Sequence, residues 1–286
     1  MAQLTILRSY AQRPDPTTLP GSVLFAHNEK TLTIFDAYPK SIFHFLVLPR
    51  AKAYEPKEEG GWKVEDLKDL RTVLGRGREK ARKVLQDLEI AARECKDEIE
   101  EEMSARYGHK WDIWIGFHPV PSMNHIHLHV LSADLCSDKM KHKKHYNSFH
   151  PKGDFFLKLE TVMEWLDAEK SYFRTMAKLN PKDYEPHLKE DLVCFHENCG
   201  RRFTNFQKLK DHLQAEYNKL KEKAIAKKAI LDKLTNAKRK RETQERDGTP
   251  STVASTSGSY QDSKNVDEEA VDSQPEKRRK SACNAS

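Results

Sequence analysis

The chain has 286 residues, of which 37% are hydrophobic and 33% charged, and its mean hydropathy is −0.83. A chain this polar holds one full-sized core plus smaller parts and leaves a large share as solvated surface or tail. No run of about eighteen apolar residues is present, which excludes a helical membrane span, and the amino end MAQLTILRSY lacks the apolar stretch of a secretory signal. The formal charge of +6 comes from fifty Lys and Arg against forty-four Asp and Glu; such an excess favours anionic partners where it is clustered. Five cysteines, an odd number and mostly isolated, argue against a disulfide framework and leave Cys194 and Cys199 as one local pair.

In chain order, Leu4 to Tyr10 reads as a short helix. SVLFAH, TLTIFD and SIFHFLVLP then form three short strands of an antiparallel meander, beginning at Ser22. From Val64 to about Met103 apolar residues recur at helical spacing, weakened at Gly75 and Gly77, which predicts one long helix or two in sequence. Two further strands, WDIWIGFH and HIHLHVLS, flank a turn at Pro119 to Pro121. Phe155 to about Met176 has a second helical pattern. The expected fold is α+β: an antiparallel sheet with covering helices, then a small finger, then a disordered tail. The boundaries are residues 1–180 for the sheet domain, 181–190 for a Pro-containing linker, 191–245 for the finger with a basic helix, and 246–286 for the tail, whose Ser, Thr, Gly and charged residues cannot offset their ordering entropy.

In His125-Ile126-His127-Leu128-His129 three histidines alternate with aliphatics, so a strand puts all three imidazoles on one face and the aliphatics into the core. Three imidazoles in register read either as a polar strand face that happens to use histidine or as a zinc site with an open position that activates water. Farther on, Cys194 and Cys199 are separated by four residues and His212 follows after twelve, on a helical pattern through Phe206, Leu209 and Leu213. This is zinc-finger spacing. Where a second histidine belongs stands Glu216, one helical turn after His212, and its carboxylate can complete a tetrahedral zinc site; His196, inside the knuckle, is a poor substitute. Without that ligand the segment reads as a degenerate finger. Between Lys219 and Arg241 ten basic residues face two acidic ones, which suits phosphate contact and salt-sensitive binding. The clusters Lys238–Arg241 and Lys277–Lys280 have the form of nuclear-import signals, and a nuclear location is expected.

The His-hydrophobic-His-hydrophobic-His block resembles the signature of the histidine-triad superfamily of nucleotide hydrolases and transferases. Asp36, His44-Phe45-Leu46-Val47-Leu48-Pro49 and Ser122 extend the likeness. Tyr38-Pro39-Lys40, Pro121-Ser122-Met123-Asn124-His125 and Lys143-Lys144-His145-Tyr146-Asn147-Ser148-Phe149 are similar to its branch of DNA deadenylases with a C-terminal finger. The resemblance covers roughly residues 20 to 220. It implies that His127 attacks the α-phosphorus of an adenylated 5′ end of nicked or broken DNA, giving a covalent His–AMP that water hydrolyses to AMP. It also implies that His125, His129 and Ser122 stabilise the developing charge, that Asp36, Lys40, His44, Lys144 and His145 bind nucleotide and phosphates, and that Cys194, Cys199, His212 and Glu216 hold one structural zinc with no metal in catalysis. The first strand begins so close to the amino end that no forkhead-type module is expected before it. The alternative is a general histidine-triad hydrolase of small dinucleotides or phosphoramidates, with the finger as an interaction or stability module.

Overall fold

A computed structural model describes residues 2–54, 61–197 and 199–247. Its contacts divide the chain into a unit ending at Leu234 and a second one from Thr235 onward. The sheet, its covering helices and the finger up to Leu234 lie in the first. The expected tail falls, from residue 248 on, outside the described residues. No described helix is long and apolar enough to cross a membrane.

The chain opens with a 3-10 turn, Ala2–Thr5, and helix α1, Ile6–Ala11, in line with the short amino-terminal helix expected there. Strands β1 (Leu24–His27), β2 (Thr31–Phe35) and β3 (His44–Pro49) follow as an antiparallel meander. After the short helix α2 (Ala51–Tyr54), the predicted helical stretch resolves into a 3-10 turn, Val64–Leu67, then α3 (Leu70–Gly75) and α4 (Arg78–Glu102). The break falls where the sequence is weakest: Gly77 takes φ +97°, a left-handed conformation glycine adopts without steric penalty. Strands β4 (Ile113–Phe117) and β5 (Leu128–Ser132) complete the sheet interior.

The second helical pattern differs from expectation at its start. Leu157–Lys158 is a short edge strand, β6, after helix α5 (Lys143–Asn147), and the helical part is split into α6 (Leu159–Asp167) and α7 (Lys170–Met176). Ala168 and Glu169 adopt extended ψ angles of 171° and 144° between them. Gly116 makes the edge pairing possible, because a Cβ there would sit 2.6 Å from the Leu157 carbonyl oxygen and 2.8 Å from the Phe156 ring. The six-stranded order is β1-β2-β3-β5-β4-β6, every pair antiparallel.

Residues 181–190, expected as a linker, contain α8 (Pro181–Tyr184), capped by the Asn180 side chain, and a 3-10 turn, Glu185–Lys189. The finger is a two-stranded ribbon, β7 (Leu192–Val193) and β8 (Arg202–Phe203), followed by helix α9 (Phe206–Asp247).

Both faces of β3 are buried. Phe45 and Val47 join α3, α4 and α6 in the main core, and Ile126, Leu128 and Val130 enter the same core. On the other face Leu46 and Leu48 pack with Leu7 of α1 and Leu32 and Ile34 of β2. A third cluster joins Leu131, Tyr146, Phe149 and Phe156 of the sheet domain to Leu192, Cys194, Phe195, Leu209 and Leu213 of the finger. The finger is thereby built into the body's apolar packing. Tyr146 donates its hydroxyl to the Val193 carbonyl at 2.6 Å, and the Asn147 amide donates to the carbonyls of Glu190 at 2.9 Å and Leu188 at 3.3 Å.

Candidate active site

The three histidines do not stand on one strand. His129 lies in β5 opposite Leu46 of β3 and Gly116 of β4, but β5 starts only at Leu128, and His125 has φ +88°. The chain approaches the sheet by pairing first with the turn before α3: the amides of His125 and Ile126 donate to the carbonyls of Lys68 and Leu67, at 2.9 and 2.7 Å. That anchoring keeps His125 out of the strand, with its ring tied to the Pro49 carbonyl. The aliphatics behind them enter the core as the alternation requires.

The hydrogen bonds assign a tautomer to each ring. The Lys40 amide donates to His44 Nδ1 at 3.1 Å, so His44 carries its proton on Nε2 and donates it to His129 Nδ1 at 3.0 Å. His129 then holds its own proton on Nε2, which is buried and has no acceptor. It is a donor waiting for an acceptor. His127 Nδ1–H donates to the carbonyl of His125 at 2.8 Å, which leaves the lone pair on Nε2. His125 spends its Nε2–H on the Pro49 carbonyl at 2.7 Å and turns a bare, buried Nδ1 inward. In its neutral form His125 therefore cannot donate to a phosphate; what it does is fix the ring of His127.

Burial keeps all of these rings neutral. It pulls His44 and His125 down to about 4 and lowers His127, with His129 held well below the usual imidazole range. Asp36 opposes this at His44, whose Nε2 is 3.4 Å from Oδ2, while Oδ1 accepts the Tyr38 amide at 2.7 Å. Burial also lowers Lys40, whose ammonium donates to the Tyr38 carbonyl. His145, on α5, accepts the Lys141 amide at Nδ1 and is lowered by burial and by the charge of Lys40, which places the two near each other.

The structure thus brings together Asp36, Lys40, His44, His127 and His129, with His125 behind and His145 at the rim. Ser122 is exposed and lines a neighbouring groove, and Lys144 is exposed on α5; neither makes a side-chain contact with the histidines. Sequence reasoning missed His118. Its ring centroid is 4.5 Å from that of His129 and 4.7 Å from that of Phe149, its Nε2 donates to the Ser148 carbonyl at 2.9 Å, and burial draws it down to about 3. The signal was in the register, because Gly116 pairs with His129 and residue 118 lies two positions farther along the same face.

Among the described residues two groups have donor atoms close enough to share a cation. Asp36, His44 and His129 are one, and they differ from the three alternating histidines considered for zinc. The other is Cys194, Cys199 and His212 in the finger. Cys199 Sγ lies 3.2 Å from His212 Nε2. Burial pushes the Cys194 thiol up to about 11, so its thiolate requires a neighbouring cation, and two sulfurs with one imidazole nitrogen are a zinc donor set. Glu216 Oε1 is 3.8 Å from His212 Nδ1 and accepts from Lys219 at 2.9 Å. His196 stacks on Phe195 and brings Nδ1 to 3.2 Å from Cys194 Sγ.

An antiparallel sheet whose strand β5 is entered through His-x-His-x-His, with a Cys/His finger sharing its core, defines a histidine-triad protein fused to a zinc-binding finger. Two family models match: "scavenger mRNA decapping enzyme C-term binding" over residues 6–145 and "C2HE / C2H2 / C2HC zinc-binding finger" over residues 152–219. The chain is 32% identical to aprataxin of Danio rerio over 65% of its own length and 47% of that protein's. To the aprataxin-like protein of Saccharomyces cerevisiae it is 29% identical over 74% of its length and 94% of the other. The solved structure of the aprataxin ortholog Hnt3 in complex with DNA superposes with a TM-score of 0.55 at 25% identity, covering 78% of this chain and 99% of that one. Over about three quarters of its length the chain is similar, in sequence and in fold, to the aprataxin-like proteins. It spans about half the length of the Danio rerio and Gallus gallus relatives it matches, 47% and 50%.

Proposed function

We propose that this chain hydrolyses adenylated 5′ ends of nicked or broken DNA, releasing AMP and restoring a 5′-phosphate, and so reverses abortive ligation during single-strand break repair. The observation that carries the reading is the tautomer arrangement: a lone pair on His127 Nε2 beside an unsatisfied Nε2–H on His129. His127 Nε2 attacks the α-phosphorus; the N–P bond forms as the P–O bond to the DNA 5′-phosphate breaks. That phosphate has a second pKa of about 6 and leaves without a strong acid. Water then displaces His127, giving AMP and the neutral ring. Charge stabilisation matters most, and each preorganised donor is worth about 3 kcal/mol. His129 Nε2–H and the Lys40 ammonium supply it, with His145 and Lys144 reaching outer phosphate oxygens, Ser122 donating its hydroxyl from the loop before the triad, and Asp36 accepting from the ribose hydroxyls. His125 acts by orienting His127.

One structural zinc is held by Cys194, Cys199 and His212; Glu216, whose carboxylate lies outside that group at 3.8 Å from His212 Nδ1, turns in as the fourth ligand when the ion binds. The finger and the basic residues of α9 bring the duplex to the triad, and the protein works in the nucleus. The catalytic step uses no metal, so AMP release continues in EDTA over times too short to strip the finger. Abolition on instant chelation would point instead to a cation at Asp36, His44 and His129. The discriminating experiment compares 5′-adenylated nicked DNA with a small adenosine phosphoramidate. Preference for the small compound would favour a general nucleotide hydrolase.

A further inference from the structure

We infer that Lys68 and Arg71 grip the sugar-phosphate backbone of the substrate strand where it runs on from the adenylated phosphate; this rests on the DNA reading above. Both line a groove of about 300 Å³ whose other wall is the Pro119–Asn124 loop leading into the triad. The volume falls at the lower end of the range for small-ligand sites.

Four observations point to an anionic polymer with apolar parts. Lys68 and Arg71 are both exposed, and among the described residues no acidic side chain pairs with either. The carboxylate on the same wall, Asp69, is turned to its own helix, accepting from the Thr72 amide at 2.8 Å and the Thr72 hydroxyl at 2.6 Å, so it caps α3 and leaves the two cations to the groove. The Lys68 carbonyl receives the His125 amide at 2.9 Å, which ties the groove wall to the segment that orients His127. At the opposite rim Leu4 is 52% exposed while its carbonyl accepts the Asn124 amide at 2.7 Å. An exposed aliphatic held next to two unpaired cations suits sugar and base on one side and phosphate on the other. The groove is continuous with the triad loop, so a strand whose first phosphate sits at His127 has this surface as its next support.

The test measures binding of the full-length His127→Ala chain to a 5′-adenylated nicked duplex by fluorescence anisotropy between 50 and 200 mM salt. Each phosphate contact contributes about 0.9 to the slope of log affinity against log salt. Adding Lys68→Ala and Arg71→Ala should therefore flatten the slope by about 1.8, so that affinity falls about 12-fold less across this range. Lys68→Arg with Arg71→Lys should keep the original slope. Parallel slopes for the alanine pair, or equal flattening by the charge-conserving pair, would overturn the inference. Failure of the wild type to release AMP from adenylated DNA would instead sink the DNA-end reading, and a flattened slope would still mark the groove as a nucleic-acid contact.

Discussion

Replacing His44 with phenylalanine probes the relay that sets the donor at the reaction centre. The imidazole accepts the Lys40 amide and donates to His129 Nδ1, at 3.1 and 3.0 Å; phenylalanine does neither. Two buried polar groups lose their partners at about 1–3 kcal/mol each, partly offset because a second aromatic ring packs against Phe149, whose centroid is 5.3 Å from that of His44. Net destabilisation should be about 2–4 kcal/mol. The larger effect is on rate. With Nδ1 of His129 unconstrained, its proton no longer stays on Nε2, and loss of one preorganised donor should lower kcat by about 10²–10³. AMP release from a 5′-adenylated nick, followed at saturating DNA, reads the rate, and urea unfolding reads the stability. His44→Gln, whose amide both accepts and donates, should recover at least tenfold of the lost rate. A folded His44→Phe protein within about threefold of wild-type kcat would refute the relay.

Gly116→Ala should cost about 1–3 kcal/mol, because the new methyl meets the Leu157 carbonyl and the Phe156 ring at 2.6 and 2.8 Å; a urea midpoint unchanged from wild type would contradict this. Stability should also fall as pH drops from 6.5 towards 4. His44, His118 and His125 stay neutral in the folded protein, with values near 4, 3 and 4, and become protonated once unfolded, so together they remove up to about 4 kcal/mol per pH unit in that window and nothing above it. Unfolding midpoints measured at pH 8, 6 and 4.5 check the sign. Cys199→Ser should abolish stoichiometric zinc, read by elemental analysis, and lower the thermal midpoint of the whole first unit, since Cys194 is part of the core shared with Tyr146 and Phe149. Independent melting of the finger with an unshifted main transition would argue against that shared core.

The meander, the α3–α4 pair and the finger helix were legible because their apolar periods are strong and their breaks fall at Gly77 and at short polar turns. Strand β6 was not. Two residues carry no period, and its existence depends on the missing side chain of Gly116 in a strand distant in sequence. The histidine motif was legible and its geometry was not: alternation predicts one strand face, whereas the pairing of His125 and Ile126 with the turn at Leu67–Lys68 is a non-local contact that keeps the first histidine out of the strand. For the same reason the contact between finger and sheet, through Tyr146, Asn147 and Phe149, leaves no trace in any single segment's pattern. The nearness of Cys194, Cys199 and His212 was readable from spacing alone, since a tetrahedral ion fixes sequence distances more tightly than packing does.

The most direct test of the central claim is to mix the purified protein with 5′-adenylated nicked DNA in EDTA, quench within one turnover and look for AMP bound covalently to the chain. The expected result is an acid-labile adenylate on His127, free AMP at later times, and neither product from His127→Ala. Undiminished AMP release by His127→Ala, or an adenylate on another residue, would contradict it.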